Sequence, residues 1–368
     1  MERVPFDNKE IENATETPGF MPGSTVKTFD TPISPKENYK LLYDKKVPFW
    51  LPGFSDMQTI TPRIDPDNLA RVFSFEAQPM TAEDRLPEVR RPDKFGIPWV
   101  YVEQVSGSIV EPGSPTLLDA NDWPDVIQFP DVSKWDWEAS AEANKEFVKT
   151  EKFLVYSHLT GYFERLISFM DFENAAVALV DPDQKEAVKS LMNALADLYI
   201  DIFTRAMNAY NFDGLNVHDD WGAQRAPFFS LDVCMEMIVP AIKKVVDFAH
   251  NELNVPYDFH SCGKNELLVP AYIAAGTDSW GGQNMNDKAM LYDKYGDKII
   301  LGIEPDITVD FAGPPVTLEA AIAAGQKFLD TYIPNFKDKP VTMGFFFGPE
   351  GYNEYMYEAS RNAFNAIA

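Results

Sequence analysis

From residue 153 onward, short apolar runs alternate with longer segments of helical period, joined by short connections. Runs over 153–156, 214–217, 257–259, 277–280, 298–303 and 340–347 read as strands. Segments over 161–178, 183–208, 231–253, 266–275, 288–295 and 318–332 read as helices. In the second of these, Val188, Leu191, Met192, Leu195, Leu198, Ile202 and Met207 recur near every 3.6 residues. A strand that returns through a helix pairs parallel with its predecessor. Repeated to the end of the chain, the pattern predicts an α/β fold, a closed (β/α)8 TIM barrel. An open doubly wound sheet usually carries a Gly-rich phosphate loop after its first strand. Neither G-x-G-x-x-G nor a Walker loop occurs here.

Upstream, Ser34, Pro35 and Glu37 supply an N-cap, a first-turn proline and a capping-box acid for a helix over 34–43. The run 47–51 reads as a strand closed by Pro52 and Gly53. Residues 54–137 are rich in Pro and Trp, with a strand expected over 97–103, and read as an insertion covering one end of the barrel. The expected organisation is an irregular N-terminal extension over 1–35 and a barrel over 36–368.

The balance of 32 Lys and Arg against 57 Asp and Glu gives a formal net charge of −25. A polyanion of that size repels nucleic acid and acidic membrane surfaces, so neither is expected as a partner. Two cysteines make no disulfide framework and fit a reducing cytoplasm. Residues 1–13 lack the basic and apolar regions of a signal peptide, and no window approaches the roughly 20 apolar residues of a membrane span.

The chemistry collects where the strands end. Of four histidines, His158, His218 and His260 fall at or just past the C-terminal end of an expected strand, and only His250 lies within a helix. Asp219, Asp220, Cys262, Trp280, Gln283, Glu304 and Glu350 fall at strand ends too. In a (β/α)8 barrel these ends share one mouth, where catalysis takes place. His260 and Cys262, two apart on an extended segment, project to the same side, and both are zinc ligands when deprotonated. Each residue also has a structural role open to it. His158 can cap a strand end, one of Asp219 and Asp220 can cap a helix, and Trp280 and Phe346 can fill the core.

From about residue 34 to the end, the chain resembles the uroporphyrinogen decarboxylase-like superfamily. The resemblance rests on Lys94-Phe-Gly-Ile-Pro-Trp-Val-Tyr-Val102, Val217-His-Asp-Asp-Trp-Gly222, His260-Ser-Cys-Gly263, and Leu291-Tyr-Asp-Lys-Tyr-Gly-Asp297 leading to Gly302. It implies a (β/α)8 barrel and one of two chemistries: cofactor-free decarboxylation, or methyl transfer involving a corrinoid protein, often with zinc. The decarboxylase branch carries a basic stretch after its first strand. Here that place reads Phe49-Trp-Leu-Pro-Gly-Phe-Ser-Asp56, without arginine. The methyltransferase branch has His-x-Cys on one strand, matched by His260 and Cys262. Its thiol-activating members add a cysteine near the last strand, where this chain has Glu350, and Glu304 is an alternative ligand. A His/Cys/carboxylate set is harder than His/Cys/Cys and suits cleavage of a methyl–oxygen bond.

The resemblance thus implies an O-demethylase component that moves a methyl group from a small, aromatic methyl ether to the Co(I) of a separate corrinoid protein. Zinc at His260, Cys262 and Glu350, or an acid among Asp219, Asp220 and His218, would activate the leaving oxygen. His158, Trp280, Gln283, Glu304 and Phe346 are the expected substrate contacts. A homodimer is compatible with the sequence. The alternatives are a decarboxylase-like lyase on a small carboxylic acid and a non-catalytic binding subunit.

Overall fold

The computed structural model describes residues 3–18, 25–86, 89–103, 107–307, 315–344 and 348–368. Its contacts gather into two compact units. One comprises Met1–Gln58, Glu151–Phe153 and Asp287–Ala368, and the other Thr59–Thr150 and Leu154–Asn286.

The second unit carries the parallel strands around which the site is built. Phe153–His158 pairs with Gly214–His218, which pairs with Tyr257–Ser261, which pairs with Ser279–Gly282. The register sets His218 directly opposite His260, and His260 opposite Gly281. Helices Tyr162–Ala178 and Lys185–Tyr210 follow the first of these strands. In the longer one Val188, Leu191, Met192, Leu195, Leu198 and Ile202 are buried, as their spacing requires. Its backbone turns left-handed at Asn211, which ends it (φ 49°).

The expected helix over 231–253 is divided into Leu231–Met237, Val239–Phe248 and a π turn over Ala249–Leu253. Pro240 accounts for the break, since its ring admits only the first turn of a new helix. The Pro- and Trp-rich region folds as a three-stranded antiparallel sheet of Arg90–Pro92, Pro98–Val102 and Gly107–Val110. The core beneath the third and fourth strands is aromatic. Trp221 stacks on Tyr272 (4.9 Å, 18°) and Tyr272 on Trp280 (5.4 Å, 22°).

In the first unit, Ile300–Ile303 and Val341–Met343 pair parallel, and helices Leu318–Tyr332 and Tyr352–Ile367 follow them. The capping box at Ser34 and Glu37 forms as expected and opens helix Pro35–Tyr43. The run 47–51 makes no strand. Its backbone groups are taken by side chains: Phe49 N–H and Trp50 C=O bind Asn38, and Leu51 N–H donates to Ser360 Oγ. Parallel pairing resumes one step later, where Met343 N–H donates to Pro52 C=O (2.9 Å) and Gly53 bridges Met343. The N-terminal extension, expected to be irregular, holds helix Lys9–Glu12 and an antiparallel pair of Thr15–Pro18 and Thr25–Thr28. The α/β class and the parallel strand–helix repeat therefore hold. No helix among the described residues is long and apolar enough to cross a membrane.

Candidate metal centre

Because His218 and His260 are register partners on adjacent parallel strands, their side chains leave the sheet on the same side. Their rings lie nearly parallel, 5.3 Å apart at 15°. Cys262, two residues beyond His260, reaches the same space. Its Sγ lies 3.6 Å from His260 Nε2 and 3.7 Å from His218 Nε2. The donor atoms of His218, His260 and Cys262 all lie within 4.8 Å of one another.

The turn that places Cys262 is tightly fixed. Gly263 has φ +89°, and a Cβ there would stand 2.1 Å from Gly222 C=O. The two glycines that end the Val217–Gly222 and His260–Gly263 motifs are thus pressed backbone to backbone. Gln283 Oε1 accepts from Gly263 N–H (2.8 Å), and Asn265 Nδ2 donates to Ser261 Oγ and to Cys262 C=O.

Three consecutive residues at the end of the second strand divide the work. His218 faces His260. Asp219 turns inward, fully buried, and accepts from the N–H groups of Tyr162, Phe163 and Glu164 at 2.7–2.8 Å. It caps the helix Tyr162–Ala178, and the contact needs glycine at 161, where a Cβ would stand 2.5 Å from Asp219 Cβ. Burial and the Glu164 charge raise the Asp219 carboxyl to about 7 against the pull of those donors. Asp220, by contrast, is partly open (side chain 37% exposed), with Oδ1 at 3.2 Å from His218 Nε2. Its burial favours the neutral acid, but His218 and Arg71 outweigh that and hold it well below the usual carboxylate range.

Two side chains not anticipated from the sequence complete the surroundings. Glu164 Oε2 lies 3.0 Å from His218 Nδ1, and Arg71 ion-pairs with Glu164 at 2.5 Å. Arg71 also lies over the ring of Trp99, 5.0 Å from its centroid, which ties the antiparallel sheet to the site. Burial disfavours a charged His218, yet Glu164 and Asp220 raise its pKa well above the ordinary histidine value. Burial pushes the Cys262 thiol up, partly offset by His218. The signal for Glu164 was available: an acid in the first turn of the helix that follows a strand-end histidine. Arg71 sits in a region without periodicity, where nothing marked it.

His158 is buried (1% exposed) against Tyr199 and Phe203, in a network of Lys94, Arg165, Asp65, Asp67 and Asp93. Burial, with Lys94 nearby, pulls its pKa well down. Trp280 is a core residue under the sheet, 1% exposed. Gln283 supports the Gly263 turn rather than standing alone. Glu304 and Glu350 belong to the other compact unit, where Glu304 pairs with Lys288 (2.5 Å) and Glu350 is exposed. Phe346 lies outside the described residues.

A parallel strand–helix repeat with two imidazoles and a thiol converging at its strand ends defines an α/β protein with a candidate transition-metal site. The same fold is found in a methyltransferase from Methanosarcina mazei, with a TM-score of 0.59 at 13% identity over 90% of this chain and 99% of that one. A Group IV chitinase from Ostrinia furnacalis bound to allosamidin (TM-score 0.27, 12% identity, 51% of this chain and 55% of that one) aligns too loosely to carry an argument. So does an endo-β-N-acetylglucosaminidase from Cordyceps militaris (TM-score 0.32, 10% identity, 69% and 85%). No protein-family model and no curated protein matches the chain.

Proposed function

We propose that the chain is a methyltransferase that takes a methyl group from a small methyl ether and passes it to the Co(I) of a corrinoid carried by a separate protein. The observation that carries this is the convergence of His218, His260 and Cys262 within 4.8 Å at the strand ends. Support comes also from the fold shared with the Methanosarcina mazei methyltransferase. The frame proposed is a closed (β/α)8 barrel over 36–368, preceded by an extension over 1–35.

In the reaction the methyl–oxygen bond breaks, its electron pair stays on oxygen, and Co(I) supplies the pair for the new carbon–cobalt bond. The oxyanion is a poor leaving group, and a metal ion held at His260 and Cys262 would supply the Lewis acidity that stabilises it. Asp220 is held as an anion and Asp219 is engaged by three N–H groups, so neither is set to protonate the leaving oxygen. Asp220 instead faces His218 Nε2 from a partly exposed position.

The test mixes the purified chain with a reduced corrinoid protein and a panel of aryl methyl ethers, a thioether and a methylamine, following methyl–cobalt absorbance. Transfer from an ether, lost in Cys262→Ala, is the expected result. Transfer from none of the panel, or release of CO2 from an acid without corrinoid, would overturn the proposal.

A further inference from the structure

We propose that His218 is the third protein ligand of the metal ion, beside His260 and Cys262, and that Glu164 is the positioning residue that aims it. This rests on the metal centre of the preceding section and not on methyl transfer. Around a tetrahedral zinc with Zn–N of about 2.0–2.1 Å and Zn–S of about 2.3 Å, neighbouring donor atoms stand roughly 3.3–3.7 Å apart. The two nitrogen–sulfur separations here are 3.6 and 3.7 Å. Two edges of such a tetrahedron are thus already at length, and the third, between the two imidazoles, is within 4.8 Å.

The far side of His218 is arranged for the same purpose. A carboxylate 3.0 Å from Nδ1 accepts the proton of that nitrogen, so a metal ion would take the place of the proton on Nε2, which faces Cys262 and, at 3.2 Å, Asp220 Oδ1. Leu159 C=O, also 3.0 Å from Nδ1, favours the same tautomer. Arg71 fixes Glu164 in turn, and Asp219 locks the first turn of the helix that carries Glu164. Thus two of the three residues His218-Asp219-Asp220 serve the ligand set, one as ligand and one by anchoring the helix of its positioning residue. Two neutral imidazoles and one thiolate leave a divalent ion with a single positive charge. Asp220, on the open side, offsets that charge without filling the inner set. Three protein ligands leave one position for a substrate atom, as catalytic zinc sites do. Among the described residues, His218 and His260 are the donors grouped with Cys262.

The test uses the full chain with zinc and with cobalt(II), measuring affinity by chelator competition and coordination by the cobalt absorption spectrum. One equivalent of metal is expected, with a thiolate-to-cobalt charge-transfer band that Cys262→Ala abolishes. His218→Ala should weaken zinc binding by more than about a hundredfold, beyond the roughly 10–100-fold typical of a positioning partner. Glu164→Gln should weaken it by about 10–100-fold and keep the charge-transfer band. Glu350→Gln should bind zinc as the parent does. If His218→Ala does not fold, as judged by circular dichroism, His218→Gln replaces it with the same expectation. Parental zinc affinity in the His218 variant, or its loss in Glu350→Gln, would overturn the assignment. So would a parent chain that binds no metal, even one that transfers methyl groups. A parent that binds metal as described but demethylates nothing would leave this assignment standing and remove the methyl-transfer proposal alone.

Discussion

His158 and His218 end neighbouring parallel strands, His158 level with Val217 one residue before His218, and their surroundings could hardly differ more. Around His158, Lys94 pairs with Asp65 and Asp67 while Arg165 pairs with Asp67 and Asp93, and every one of these side chains is at most 2% exposed. Around His218 the charges are paired on one side only, by Glu164 and Arg71, while Nε2 faces His260, Cys262 and the partly exposed Asp220. A histidine at a strand end is therefore not in itself a mark of chemistry. What separates the two clusters is whether donor atoms remain turned toward a common, reachable point.

The comparison can be broken or sharpened by substitution. The largest effect should follow Arg165→Ala, which leaves Asp93 buried without its cation and Asp67 with Lys94 alone. A loss of about 3–5 kcal/mol in unfolding free energy, read by chemical denaturation, is expected. His260→Ala should do the reverse, lowering methyl transfer by at least about a hundredfold, roughly 2.7 kcal/mol, while the denaturation midpoint moves little. Equal loss of stability at both positions would erase the distinction. Asp219→Ala removes the acceptor for three helix N–H groups and should cost about 1–2 kcal/mol, with weakened metal binding because Glu164 is carried by the same turn.

The smallest effect concerns the fourth histidine. His250 Nε2 meets Asp278 at 2.7 Å, and this bond, against partial burial, raises the His250 pKa above 6.5. The folded value exceeds the unfolded one, so the stabilisation is complete below about pH 6.5 and is lost as pH rises through the folded value. With the His250 side chain 35% exposed, solvent screening should keep it below about 1 kcal/mol. Melting temperatures at about pH 6 and about pH 9 should differ more in the parent than in Asp278→Asn.

Much of this was legible in the sequence because it rests on local rules. The period of Val188 to Ile202, the capping box at Ser34, and the strand that carries His260 and Cys262 to one side all follow from chain geometry. The parts that escaped depend on contacts distant in sequence. The run 47–51 has the composition of a strand, but Asn38 and Ser360 claim its backbone groups. Met57–Ile60 is a strand of four residues in a Pro-rich region, too short to announce a period. His158 ends its strand as expected, while Trp280 is the second residue of Ser279–Gly282, and packing turns both into the core. At the site, the His-x-Cys pair was readable from spacing alone. The pairing of His218 with His260 came from strand register, and the approach of Glu164 from the cap that Asp219 provides.

The most direct test of the ligand set is X-ray absorption at the zinc edge of the metal-loaded full chain. The ligand set His218, His260 and Cys262 predicts one sulfur at about 2.3 Å, two imidazole nitrogens at about 2.0–2.1 Å and one further light atom. A spectrum with no sulfur, or with a single imidazole and added carboxylate oxygens, would contradict it.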